Sequence, residues 1–176
     1  MKATKFFLLI ILFPALFSAQ KNNNSLSKKY TKVTGGYLMV LREGDKLFDE
    51  LDNFALKEKI PSANFTGFGF AEVEFGFFNN KTKSYKPKKF KAAELASMTG
   101  SIAWQKEKPS IHAHGVIAGK NFKAHGGHIL NAMVGKGSLE IMITVHEKRL
   151  ERIKDEKLGA NVLCVDRCEW VTQKTA

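Results

Sequence analysis

The stretch Ile111–His128, IHAHGVIAGKNFKAHGGH, carries four of the five histidines and narrows most what the chain can fold into. Ile111 to Ala118 is apolar apart from its histidines and Gly115. Ala118-Gly119-Lys120-Asn121 supplies turn chemistry, since Gly and Asn tolerate positive φ. Phe122 to His125 starts the return, and Gly126-Gly127 bends the backbone before His128. The stretch therefore reads as a strand, a turn and a returning strand. Side chains two apart on a strand share a face, so His112 and His114 point the same way, with Cα atoms about 6.6 Å apart. The hairpin can bring His125 or His128 beside them. A lone histidine is more often a hydrogen-bonded core residue. Three neutral imidazoles converging with a fourth position open is how catalytic zinc is often held.

The chain has 176 residues, suited to one domain once its ends are set aside. A hydrophobic content of 44% supports a core without disulfides or metal as the main source of stability. The formal net charge of +11 favours polyanionic partners but defines no function by itself. Cys164 and Cys168 have the wrong spacing for a C-x-x-C pair. On one strand they would sit about 13 Å apart, too far to bond. They read as two ordinary thiols, or as a disulfide across an irregular tail in an oxidising compartment.

Residues 1–19 have the layout of a signal peptide: Lys2 and Lys5, an apolar run from Phe6 to Phe17, and a cleavage site after Ala19. This predicts a periplasmic or secreted protein with no stable membrane anchor. Residues 20–34 read as a flexible lead-in, 35–166 as the folded domain and 167–176 as a C-terminal tail. Tyr37–Leu41 is a buried strand. Gly44-Asp45 ends it and caps a helix from Lys46 to Lys59, whose apolar residues recur at three and four. Pro61 stops that helix. Ala63–Phe78 reads as two strands joined near Gly67 and Gly69, followed by a turn at Asn79-Asn80-Lys81. Lys81–Lys91 holds six lysines with Tyr85 and Phe90 between them. It reads either as a phosphate-tracking patch or, more simply, as a solvated edge blunted by lysine. Ala92–Trp104 is a strand bent at Gly100, and Lys106–Pro109 a loop. Ile129–Val134 and Leu139–Val145 are strands separated by Gly135-Lys136-Gly137. His146–Glu156 allows a charged helix, but the turn at Leu158 to Asn161 favours a hairpin.

The H-x-H followed by G-G-H (His112, His114, Gly126, Gly127, His128, then Ile129) resembles the plant-and-prokaryote conserved (PPC) domain. The resemblance spans about Tyr37 to Val165. It includes Leu41-Arg42-x-Gly44-Asp45, Thr66-Gly67-Phe68-Gly69, Asn79 to Tyr85, Glu94-Leu95-x-Ser97-Met98-Thr99-Gly100, and Arg152 to Leu163. More distantly, the histidines are similar to the zinc ligands of acetolactate decarboxylase, where the third ligand is the histidine of G-G-H. This favours His128 over His125, which is kept in reserve. The resemblance implies an α+β fold, mainly an antiparallel sheet with a helix packed on one face, and a homotrimer. It also implies a divalent metal, zinc first, on His112, His114 and His128.

In an enzyme of this kind Glu94 is the candidate acid–base group and Arg42 a candidate partner for a small anionic ligand. The matching chemistry is a lyase or hydrolase acting on a small carboxylated substrate. The plain alternatives are a structural hydrogen bond for Glu94 and a surface ion pair for Arg42. No R-G-R-P core of an AT-hook occurs in the chain. The DNA-binding role usually attached to the family is therefore an alternative, with nucleic acid an unfavoured partner. A trimeric interaction module without catalysis is another.

Overall fold

The computed structural model describes residues 28–165. The signal-peptide segment, the lead-in as far as residue 27 and the tail with Cys168 lie outside the described residues. In chain order the elements are β1 (Tyr30–Val33), β2 (Gly36–Arg42), α1 (Leu47–Lys57), β3 (Ser62–Asn79), β4 (Ser84–Gln105), β5 (Lys108–Ala118), β6 (Ala124–His146), β7 (Glu151–Asp155) and β8 (Ala160–Cys164). Among the described residues the protein is mostly β, with one 11-residue helix.

The pairing of the long strands positions the histidines. β3 pairs antiparallel with β4 and with β6. β5 also pairs antiparallel with β4 and with β6. The four strands therefore form a closed circuit. It closes at His128, which lies opposite His114 of β5 and opposite Gly76 of β3. β2 extends the sheet beyond β6, with β1 outside it. The β7–β8 hairpin joins β4 through a parallel pairing of Glu151 with Trp104.

One buried cluster holds the molecule together. Leu47, Leu51, Phe54 and Ala55 of α1 share it with Phe65, Leu95, Met98, Ala113, Ile117, Ile129 and Ile141 of the strands. Each of these strands turns alternate residues to the cluster, as a pleated strand must. Burial of one such aliphatic side chain stabilises the fold by roughly 1.5–3 kcal/mol.

Several boundaries differ from those read in the sequence. Gly67 and Gly69 do not separate two strands: β3 runs through them with a bulge. Gly135-Lys136-Gly137 does not end a strand either. β6 continues through it, and residues 135–138 bulge out between the pairs Gly69–Leu139 and Ala71–Val134. Glycine marks a bulge as readily as a turn, because both need backbone that a side chain would obstruct. The loop read at Lys106–Pro109 shrinks to a tight turn at Lys106-Glu107, with Lys108 already paired to Gln105 and Pro109 to Trp104. Asp45 does not cap α1; its carboxylate accepts from the Arg42 amide and pairs with Lys29 at 2.8 Å. Residues 30–33, assigned to the lead-in, form β1. Tyr30 anchors it edge-on against Phe54 and donates a hydrogen bond to Glu58 at 2.7 Å. The closing segment is a hairpin, β7–β8, and Cys164 at its end is disulfide-bonded.

Candidate metal centre

His112 and His114 stand on β5 on either side of Ala113, which is 1% exposed and belongs to the core. Strand alternation therefore puts both imidazoles on the face opposite the cluster. His128 joins them from β6, directly across from His114. The ring centroids are 5.1 Å (His112–His114), 4.9 Å (His112–His128) and 5.2 Å (His114–His128) apart. One nitrogen of each ring lies within 4.8 Å of the others. The Nε2 atoms of His112 and His114 are 3.2 Å apart. Two nitrogens bound to one tetrahedral zinc at about 2.05 Å would be separated by about 3.3 Å. The donor set thus fits a metal ion once the third ring closes by up to about 1.5 Å.

The third ring is held by an aromatic stack. The Tyr85 ring stacks on His128 at 4.7 Å and an interplanar angle of 17°. This stack depends on Gly76, the residue opposite His128. A Cβ at position 76 would lie 2.7 Å from the Tyr85 ring and 2.9 Å from Leu130. The Nδ1 of His128 is buried without a hydrogen-bond partner, a state that costs about 1–3 kcal/mol if nothing satisfies it. Burial, reinforced by the neighbouring imidazoles, lowers the pKa of His128 from the usual 6.5 to about 4. Burial first, then the charges of Arg152 and His114, also lowers that of His112. Both shifts favour the neutral ring, the state a metal requires.

The remaining residues singled out in the sequence lie elsewhere. Glu94 is exposed and pairs with Ala118, four residues along β5 from His114, or about 13 Å of strand. Arg42 is exposed and pairs with Ser138, ten residues along β6 from His128. Neither stands beside the imidazoles. His125 lies across from Ile117, whose side chain enters the core, and stacks on Phe90 at 4.8 Å. It is an odd number of residues from His128, which places it on the other face of the strand. Of the six-lysine stretch, Ser84 to Ala93 pairs with β3 alone and has a free edge among the described residues. Lysines on such an edge discourage strand addition.

Two residues at the centre lie inside stretches that carry the family resemblance, yet no motif assigns them to the histidines. One is Tyr85, described above. The other is Arg152 of β7, only 4% exposed, which donates to the Ser110 carbonyl and, at 2.6 Å, to the Ser101 hydroxyl. Ser101 faces His112 across the β4–β5 pair. A mixed sequence such as ERIKD gives no sign that its arginine is the buried residue.

The structural class is thus a small β-domain with a histidine trio at the seam of a closed antiparallel circuit of strands. Residues 28–147 match the model of the Plants and Prokaryotes Conserved (PCC) domain, and the chain belongs to that family. Among solved structures it is similar to the "putative DNA-binding protein" of Ralstonia eutropha JMP134, with 48% identity, 80% of this chain and 99% of that one covered, and a TM-score of 0.77. It is similar to a plant- and prokaryote-conserved protein of Pyrococcus horikoshii (28% identity, 72% and 88% covered, TM-score 0.65). A metal-containing protein of Archaeoglobus fulgidus has the same fold (24% identity, 72% and 91% covered, TM-score 0.65). Acetolactate decarboxylase-like chains are distant neighbours, at 14% identity. None of the curated proteins matches the chain.

Proposed function

We propose that the protein binds one divalent ion, zinc by ligand preference, through His112, His114 and His128, leaving one coordination position for a small anionic ligand. The observation that carries this reading is the convergence of three imidazole nitrogens within 4.8 Å on two adjacent strands. Imidazole also accepts copper, nickel and iron; an all-nitrogen set with no cysteine or carboxylate favours zinc among available ions. The name of the Archaeoglobus relative, a metal-containing protein, supports an ion in this fold. A zinc ion so held would polarise a carbonyl or lower the pKa of a bound water to about 7. That chemistry suits a lyase or hydrolase. This chain's part is to keep the rings aligned and open to solvent. The reading takes α1 to cover the opposite face of the sheet, and it uses neither Glu94 nor Arg42.

Metal content after identical purification tests it. Wild type should hold one ion per chain. His112→Ala and His128→Ala should each lose most of it, and His125→Ala should retain it. A wild type that takes up no ion at neutral pH would remove the proposal.

The assembly we infer is a homotrimer, exported from the cytoplasm. Phe68 and Phe70 are 56% and 45% exposed on β3, and Met142 beside them on β6 is 46% exposed. Such apolar surface favours burial against a second copy; the number three rests on the resemblance. A DNA-binding reading draws on the name of the Ralstonia relative and the net charge of +11. A gel shift that persists at physiological salt would favour it.

A further inference from the structure

A buried cation lies one strand behind the histidines, linked to them through Ser101 opposite His112. Arg152 is a buried cation, and no described carboxylate lies within salt-bridge distance of it. Its Nε has no hydrogen-bond partner at all. The group of potential ligands contains histidine only. A divalent ion here would raise the local charge to about +3 in a partly desolvated setting, which calls for an anion. The donor is in place. The Ser101 hydroxyl accepts from Arg152, so its own proton is free to be donated, and it faces His112 across the strand pair.

We propose that the ligand of this site is a small oxyanion, a carboxylate or a phosphate, held by the metal's open position and by the Ser101 hydroxyl, with the Arg152 guanidinium behind that hydroxyl supplying charge. This rests on the metal-binding reading above and names the chemistry of what the site takes.

The test uses the full chain loaded with cobalt(II) in place of zinc and titrated with oxalate or inorganic phosphate. The visible absorption of the cobalt reports entry of the anion, and calorimetry is run in parallel on metal-free protein. One anion should bind per site. Ser101→Ala and Arg152→Gln should each weaken it at least tenfold with cobalt stoichiometry unchanged, and Arg152→Lys should fall between. The anion bound more tightly identifies the group. If Arg152→Gln does not fold, judged by circular dichroism, Ser101→Ala decides. Anion affinity unchanged in Ser101→Ala, or no binding of either anion to wild type, overturns the proposal. If wild type takes up no cobalt, the metal reading fails on its own. Calorimetry then decides the remainder: anion binding that is lost in Ser101→Ala supports the Ser101–Arg152 site, and absence of heat overturns it.

Discussion

At the scale of single residues, the quality of the site turns on one missing side chain. Gly76→Ala would push its Cβ into the ring of Tyr85 and the end of Leu130. Both can move, so the fold should survive, but Tyr85 would leave His128. We expect metal affinity to fall about tenfold, a typical effect of losing a group that orients a ligand. Competition with a chromophoric chelator measures this, and Tyr85→Phe, which keeps the stacked ring, should bind as wild type. The pH response follows from His128. Its pKa of about 4 in the folded chain lies below about 6.5 unfolded. Between these values the unfolded state binds more protons, so metal-free protein loses stability as pH falls from about 6.5 towards 4. In chelator, Tm should drop between pH 7 and pH 5, and by less in His128→Asn. The histidines were legible because strand parity alone unites His112 and His114. The same parity, counted back from His128, would have removed His125 from reserve. Tyr85 and Arg152 were not legible, since each reaches the site by leaning across a neighbouring strand, which no local pattern encodes.

The elements were easier to locate than to bound. The helix, the central hairpin and the closing hairpin stand where periodicity and turn chemistry put them. The long strands do not break at their glycines, because a strand bent around a closed circuit needs bulges where a flat strand would need none. Gly69 shows the constraint: its φ is +145°, and a Cβ there would come within 1.9 Å of the Ser138 carbonyl oxygen. Gly69→Ala should cost more than about 2 kcal/mol, from strained backbone together with an immovable clash. Thermal or urea unfolding would read this, and a Tm equal to wild type would contradict the bulge. β1 escaped notice because a short polar strand with one anchoring tyrosine looks like any lead-in. Its hold on the body is local, through Tyr30, Phe54 and Glu58. In α1, Leu51→Ala should destabilise by roughly 2–5 kcal/mol, as for other fully buried leucines.

For the molecule as a whole, the sequence conveyed a mainly antiparallel sheet with one helix, and the described residues are mostly β with a single short helix. Light scattering at micromolar concentration should give three times the chain mass, and a monomer would withdraw the assembly. Phe68→Asp should lower that mass if the exposed face is the contact. The closed circuit has a further consequence for motion. Its seam between β5 and β6 is five pairs long, His114–Ala118 against Ala124–His128, whereas β3 and β4 share fifteen. The ring should therefore breathe at that seam before anywhere else in the circuit. An ion gripped by His112 and His114 on one lip and His128 on the other acts as a clasp. With zinc added, amide hydrogen exchange along those two segments should slow while the β3–β4 pairing stays as it was. Opening of the barrel wall would then be timed by the departure of the ion.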